Sequence, residues 1–316
     1  MSEAVIARAQ APPDARAVPR TARSGRARAR LTPYLLLAPS FLFLALFTYW
    51  PVLRVLAGSL TVRGFGAVAT IGLGNYARLF ADAHFGGAVI NNLIYAAGTI
   101  VPSLCLALGL AVALRDTTRF TSALRTMIAL PLLIPLVAAA SLFTFIFLPG
   151  AGLLDHYLGL WVGAGWFDTN WLGDPSLALG SIIAITVWKN TGYYMLFFLA
   201  GLAGIPDELL QAAKIDGAGA WQRFARITLP LLGPTLAFVL IIALLNVLTQ
   251  VDHVIVMTQG GPSDTTTLVL YYIYQQAHQN YDVGLASAAT VVSVGFLFVL
   301  STFSLRGLER GIHYES

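Results

Sequence analysis

Long apolar runs separated by short polar segments dominate this chain. A membrane helix needs about 20 mostly apolar residues. Six stretches qualify, at roughly 33–57, 88–114, 124–148, 177–203, 231–250 and 284–303. The third contains Pro131 and Pro135, which predicts a kink because proline lacks an amide donor and crowds the preceding turn. The pattern predicts an all-α integral membrane protein of six transmembrane helices. Segments 149–176 and 251–283 are punctuated by Gly and Pro (PGAGLL from Pro149, TQGGPSDTTT from Thr258). They are expected to pack as short ordered caps. No internal repeat is visible.

Composition agrees with a bilayer. The chain of 316 residues is 57% hydrophobic and only 11% charged, with a mean hydropathy of +0.73. Soluble domains carry about 25% charged residues, so this chain has too few polar groups to cover a water-facing surface. The net charge of +4 is not the footprint of a nucleic-acid binder. The lone Cys105 sits in an apolar run, can form no internal disulfide, and is expected to be a small buried hydrophobe.

Basic residues are placed unevenly. Seven arginines (Arg8, Arg16, Arg20, Arg23, Arg26, Arg28 and Arg30) stand in the first thirty residues, which are otherwise rich in Ala, Pro and Ser. Region 1–30 is expected to be a disordered cytoplasmic tail, and 31–316 the permeating domain. The following apolar run is too long for a signal-peptide core and lacks a clear cleavage site. Arg115, Arg119 and Arg125 follow the second run, Lys214, Arg223 and Arg226 the fourth, and Arg306 and Arg310 the sixth. The opposite loops hold only Arg63 and Arg78, together with Asp155, Asp168, Asp174, Asp252, Asp264 and Asp282. The positive-inside rule places both termini and the segment near 205–230 in the cytoplasm. Trp50, Trp161, Trp166 and Trp171 lie near the expected outer edges, where interfacial aromatics gather.

Catalytic motifs are missing. There is no Gly-Lys pair, so no phosphate-cradling loop. His84, His156, His253, His278 and His313 are scattered, without metal-ligand spacing. No G-x-S-x-G nucleophile motif occurs. The chain is read as a non-enzyme with no cofactor of its own.

The polar segment between the fourth and fifth runs is informative. Pro206 suits a helix start. Asp207 and Glu208 complement the positive end of the helix dipole and Lys214 its last turn. Leu209, Leu210, Ala212, Ala213 and Ile215 leave an apolar face, and Asp216-Gly217 ends the helix, because glycine accepts left-handed geometry. Taken alone, this helix fits either an amphipathic segment lying on lipid or a docking element.

Two polar clusters interrupt the apolar runs. In VWKNTGYY, Lys189 lies 12 residues from position 177 and 14 from position 203, roughly 18–21 Å from either end at about 1.5 Å per residue. An intramembrane charge costs at least about 2.5–3.5 kcal/mol, so it should face a polar cavity or a partner. Asn190 and Tyr193 share its face and offer hydrogen bonds and a flat ring. A later start of the span would instead make Trp188-Lys189 an interfacial anchor. In the fifth run Asn246, Thr249, Gln250 and His253 form a stripe at i, i+3, i+4 and i+7. These groups either line a cavity or bond a neighbouring helix. Asp252 is placed at the outer mouth or in solvent.

The string QAAKIDGAGAWQRFARITLP, Gln211 to Pro230, resembles the cytoplasmic coupling loop of ABC-importer permeases, whose pattern is E-A-A, D-G-A and I-x-L-P. Gln211 stands where that family usually has Glu. Further similarity to carbohydrate-uptake permeases comes from PYLLLAPSFLFLALFTYWP, GLGNY, VWKNTGYYMLFFLAGLAGIP and TQGGPSDTTTLVLYYIYQQA. The resemblance implies a permease subunit in the bacterial inner membrane. It implies a coupling helix made by Glu208, Gln211, Ala212, Ala213, Asp216, Gly217 and Ala218, docked on a separate ATPase that binds ATP and Mg. It implies a second similar permease, two ATPase subunits and an external solute-binding protein. By the same resemblance, Lys189, Asn190, Tyr193, Asn246, Gln250 and Asp252 would contact the solute. A phosphate would suit Lys189, as in a glycerophosphate, and a neutral oligosaccharide could use the same donors. Two other readings remain: an ion-driven transporter with Lys189 and Asp252 as relay charges, and a membrane enzyme, for which the acidic residues are too dispersed.

Overall fold

The computed structural model describes residues 33–34, 36–62, 70–166 and 168–309. The arginine-rich stretch 1–30, expected as a disordered tail, lies outside the described residues, as does Arg63. Met1–Arg54 and Val55–Ser316 are two compact units.

Helix α1 (Leu36–Leu60) is long and apolar enough to cross a membrane. In the first unit Phe43 and Phe47 pack with ring centroids 4.6 Å apart, and Arg54 covers the Trp50 ring at 5.1 Å. After α1 comes an antiparallel pair, β1 (Thr61–Val62) and β2 (Thr70–Ile71), in which Thr61 faces Ile71. The hydropathy pattern does not predict it, since strands this short leave no alternation to read. Helix α2 (Gly74–Ala81) is tied back by Asn75 Nδ2, which donates to the carbonyls of Ser59 and Thr61, both at 3.0 Å.

Helix α3 (Ala83–Ala113) starts five residues before the expected 88, because Asp82 caps it by accepting from the His84 amide. A capping box of Thr118 and Thr121 opens α4 (Arg119–Ala129). A 3₁₀ turn (Leu130–Leu133) leads to α5 (Leu136–Ile146). The two limbs meet at 99°, so the expected kink is a full break. Helix α6 (Leu153–Trp161) follows, then α7 (Ala178–Ala203), within a residue of the expected 177–203. Next come α8 (Asp207–Ile215) and α9 (Ala220–Arg223). Then α10 (Gly233–Thr249) and α11 (Asp252–Met257) together form one apolar stretch of 25 residues. Helices α12 (Val269–Tyr274) and α13 (Val283–Glu309) complete the described chain.

Four helical stretches among the described residues qualify as membrane spans by length and composition, or five if α4 and α5 count as one. Val283–Val299 of α13 is a shorter apolar helix.

The main core joins α3, α7, α10 and α11 through Tyr95, Ile182, Met195, Phe198, Leu202, Val239, Ala243 and Val254. Ala107 and Ala111 are fully buried, and such small residues let α3 and α7 approach closely. These two helices run parallel: Tyr95 meets Thr186 in mid-span, and Arg115 meets Asp207 just beyond their ends. A second cluster joins α2, the start of α3, α12 and the start of α13 through Leu79, Phe85, Val269, Tyr272 and Leu285. Cys105 is exposed on α3. This corrects the expectation of a buried thiol: an apolar membrane helix has an outward face as apolar as its inward one, so hydropathy cannot assign the side.

Candidate solute path and coupling helix

The VWKNTGYY string lies wholly inside α7, so Lys189 is an intrahelical residue and not an anchor before a later start. Lys189 is 9% exposed. Its Nζ donates to the carbonyls of Pro131 at 3.1 Å and Ile134 at 2.5 Å. Both oxygens belong to the break between α4 and α5. In a continuous helix Pro131 O would accept from the amide of residue 135, but that residue is proline and has none. Ile134 is extended (ψ 125°), so its carbonyl leaves the helical ladder. Pro131 O accepts instead from the Ile134 amide at 3.2 Å and takes Lys189 as a second donor. A buried acceptor left unmatched costs roughly 1–3 kcal/mol; Lys189 removes that cost at Ile134 O while its own charge gains two dipoles.

Asn190 is 7% exposed. Tyr193 is half-buried and packs edge-on against Phe197 at 5.0 Å. Tyr194, its neighbour, is buried and accepts from Asn246 Nδ2 of α10 at 3.1 Å. Asn246 is therefore bonded across helices to Tyr194, a residue that the sequence pattern did not single out.

The polar stripe of the fifth run does not stay on one face. Gln250 is extended (ψ 112°) and separates α10 from α11. Thr249 is exposed and returns its hydroxyl to Leu245 O. His253 is fully buried, with Nε2 3.0 Å from the Tyr95 hydroxyl, which itself lies 3.0 Å from Thr186 Oγ1. This network ties α11, α3 and α7 together. Tyr95 and Thr186 were not picked out in the sequence, although a tyrosine deep in a long apolar run is a readable signal. Gln250 Oε1 and His253 Nδ1 are buried without a hydrogen-bond partner among the described residues. Asp252 is exposed in the first turn of α11.

The loops 149–176 and 258–267 are ordered around polar centres. Asp155 is buried and accepts from the amides of Gly150 (2.8 Å) and Thr169 (3.1 Å) and from the Trp171 indole. Trp166 stacks on Trp171 at 5.6 Å. Ser176 donates its hydroxyl and its amide to Asp174, which holds that exposed carboxyl below the usual carboxylate range. In the second loop Asn91 Nδ2 donates to Asp264 O and Thr267 O, and Thr266 Oγ1 donates to Gly261 O.

Helix α8 buries none of its residues. Glu208, Gln211, Ala212 and Asp216 are exposed, while Ala213 and Ala218 are half-buried. Its end is a Schellman motif. The Ala218 amide reaches Ala213 O at 2.9 Å, the Gly217 amide reaches Lys214 O at 3.2 Å, and Gly217 has φ +82°. The expected glycine stop is thus present atom by atom. Pro206 precedes the helix as its cap residue. Ile215 (86%) and Trp221 (75%) are apolar and exposed, a pairing that favours a partner surface. Arg115 donates to Asp207 at 2.7 Å, and Arg125 donates to the carbonyls of Leu114, Arg115 and Asp116. The turn after α3 therefore lies against the start of α8.

The family model described as "Binding-protein-dependent transport system inner membrane component" matches residues 105–314. The sn-glycerol-3-phosphate transport system permease protein UgpA of Salmonella choleraesuis (strain SC-B67) is 33% identical over 291 residues, covering 91% of this chain and 97% of that protein. The UgpA protein of Yersinia pestis bv. Antiqua (strain Antiqua) is 33% identical over 286 residues, 90% of this chain and 96% of that protein. Among solved structures, a chain of a bacterial alginate ABC transporter in complex with an alginate pentasaccharide-bound periplasmic protein superposes with a TM-score of 0.76 at 24% identity, over 89% of this chain and 94% of that one. A chain of a bacterial ABC transporter involved in import of the acidic polysaccharide alginate gives 0.78 at 24% identity, over 91% and 99%.

Proposed function

The chain belongs to the family of binding-protein-dependent transport system inner membrane components, and we propose that within it α8 is the lever through which a separate ATPase moves the solute path. The chain is a permease subunit of an ABC importer for a sugar- or glycerol-phosphate-type solute. Its relatives are ABC permeases, so the ion-driven reading with Lys189 and Asp252 as relay charges is set aside.

The observation that carries the reading is the exposed helix Asp207–Ile215. It has no buried residue, is closed by Gly217, and is followed by exposed Trp221. Such a helix suits a groove on another protein. The basic residues Arg115, Lys214, Arg223 and Arg226 near it support a cytoplasmic face. The chain then crosses six times, with the broken pair α4–α5 as the third pass and α13 as the sixth, and both termini are cytoplasmic. ATP and its magnesium are bound by the ATPase. A second homologous permease completes the path, two ATPase subunits sit beneath, and a solute-binding protein delivers from outside.

Asn190, Tyr193, Asn246 and Gln250 border the path, with Asp252 at its mouth. The unmatched oxygen of Gln250 supports this reading, since a solute hydroxyl would satisfy it. Lys189 lies beside them, aimed at the break. Alternating access then follows when the ATPase pair closes on Glu208, Gln211, Ala212, Ala213, Asp216, Gly217 and Ala218.

The test is reconstitution of the complex with its binding protein and measurement of solute-stimulated ATP hydrolysis. Stimulation by a glycerol phosphate or by an oligosaccharide identifies the solute class. Uptake by the purified chain alone, driven by an ion gradient, would remove the coupling role.

A further inference from the structure

The α7 segment from Trp188 to Gly192 touches every part of the broken pair. Trp188 packs edge-on against Phe143 of α5 at 5.0 Å. Lys189 holds Pro131 O and Ile134 O in the break. Gly192 faces the last turn of α4 so closely that a Cβ would overlap the Ile128 carbonyl. None of the ion pairs among the described residues includes Lys189, so its charge is held by peptide dipoles and not by a carboxylate. On the same side, a groove of about 710 Å³ is lined by residues that include Pro102, Ile128, Pro131, Trp188 and Gly192. The end of α4 and the break therefore have open space beside them.

We infer that Lys189 is a latch that sets the angle between α4 and α5, a positioning residue for the movement of the broken pair. Pro135 denies Pro131 O its i+4 donor, leaving it the Ile134 amide at 3.2 Å, and the extended Ile134 turns its own carbonyl out of the ladder; Lys189 donates to both oxygens. Release of those two bonds lets α4 and α5 turn about the Gly192–Ile128 contact. A cation bound only by carbonyl oxygens can exchange them without leaving a buried carboxylate behind. This role goes beyond solute contact, because it operates with the path empty.

The experiment uses the full chain in lipid nanodiscs with Cys105→Ser, since the native thiol is exposed. Spin labels go at Phe120→Cys on α4 and Phe145→Cys on α5, both outward-facing. Distances are read by double electron–electron resonance without solute. Lys189→Met is expected to shift and broaden the distribution, and Lys189→Arg to keep it near the parent. Lys189→Gln, shorter and uncharged, is expected to shift the distribution in the same direction as Lys189→Met. Superimposable distributions for Lys189→Met and the parent overturn the latch, and are the result a lysine acting only on solute would give. If Lys189→Met fails to accumulate in membranes, the milder Lys189→Gln is read in its place. A distribution for that variant superimposable on the parent also overturns the proposal.

Discussion

Asn246 of α10 donates to the hydroxyl of Tyr194 on α7 across 3.1 Å. The bond joins the helix before α8 to the first long helix after it. Tyr194→Phe removes the acceptor and frees the amide. We expect a loss of about 1 kcal/mol in stability, read as a lower thermal midpoint of the purified complex. If Asn246 borders the path, the freed amide should also change the solute concentration that half-stimulates ATP hydrolysis. An unchanged value would remove Asn246 from the path.

Gly217 holds φ +82° at the end of α8. A β-branched residue there costs about 1–2 kcal/mol of backbone strain and breaks the Schellman bonds. Gly217→Val should lower the solute carried per ATP hydrolysed while hydrolysis continues. Normal stoichiometry in that variant would speak against α8 as the lever.

Gly192 has no room for a side chain beside the Ile128 carbonyl. Gly192→Ala should push α4 from α7 and destabilise the chain by roughly 1–3 kcal/mol, the usual cost of overpacking. The check is a thermal midpoint in detergent, with the exposed helical glycine variant Gly86→Ala, where a Cβ meets nothing within 4 Å, as the control.

Asp155 gathers three donors from its own loop. Asp155→Ala leaves the Gly150 and Thr169 amides and the Trp171 indole unmatched, at about 1–3 kcal/mol for each that stays buried. Faster hydrogen exchange at Gly150 and Thr169 is expected, with a changed Trp171 emission. Exchange equal to the parent would mean that the loop is held by Trp166, Trp171 and Phe147 alone.

Much of the fold is legible in hydropathy because each span must satisfy its backbone internally. Helix α7 begins at Ala178 against an expected 177, and the α8 stop at Gly217 is read directly from residue type. What stayed hidden depends on pairing across the bundle. Lys189 reads as a charge needing a partner, but that the partner is the pair of carbonyls of Pro131 and Ile134 in the break requires knowing that α4 and α5 fold against α7. The stripe at Asn246, Thr249, Gln250 and His253 assumes an unbroken helix, and the extended Gln250 disperses it. Cys105 shows the general limit: in lipid, apolar sequence does not distinguish inside from outside.

The parallel pairing of α3 with α7 also sets an order of assembly. Tyr95 and Thr186 are 91 residues apart, and Arg115 and Asp207 are 92 apart. During synthesis α3 enters the membrane long before its neighbour exists. Asn92, Tyr95, Thr99 and Ser103, all buried in the finished bundle, must wait there beside lipid or the insertion machinery. Ribosome pausing or truncation before residue 178 would thus strand a polar-faced helix, a species that quality-control proteases are suited to recognise.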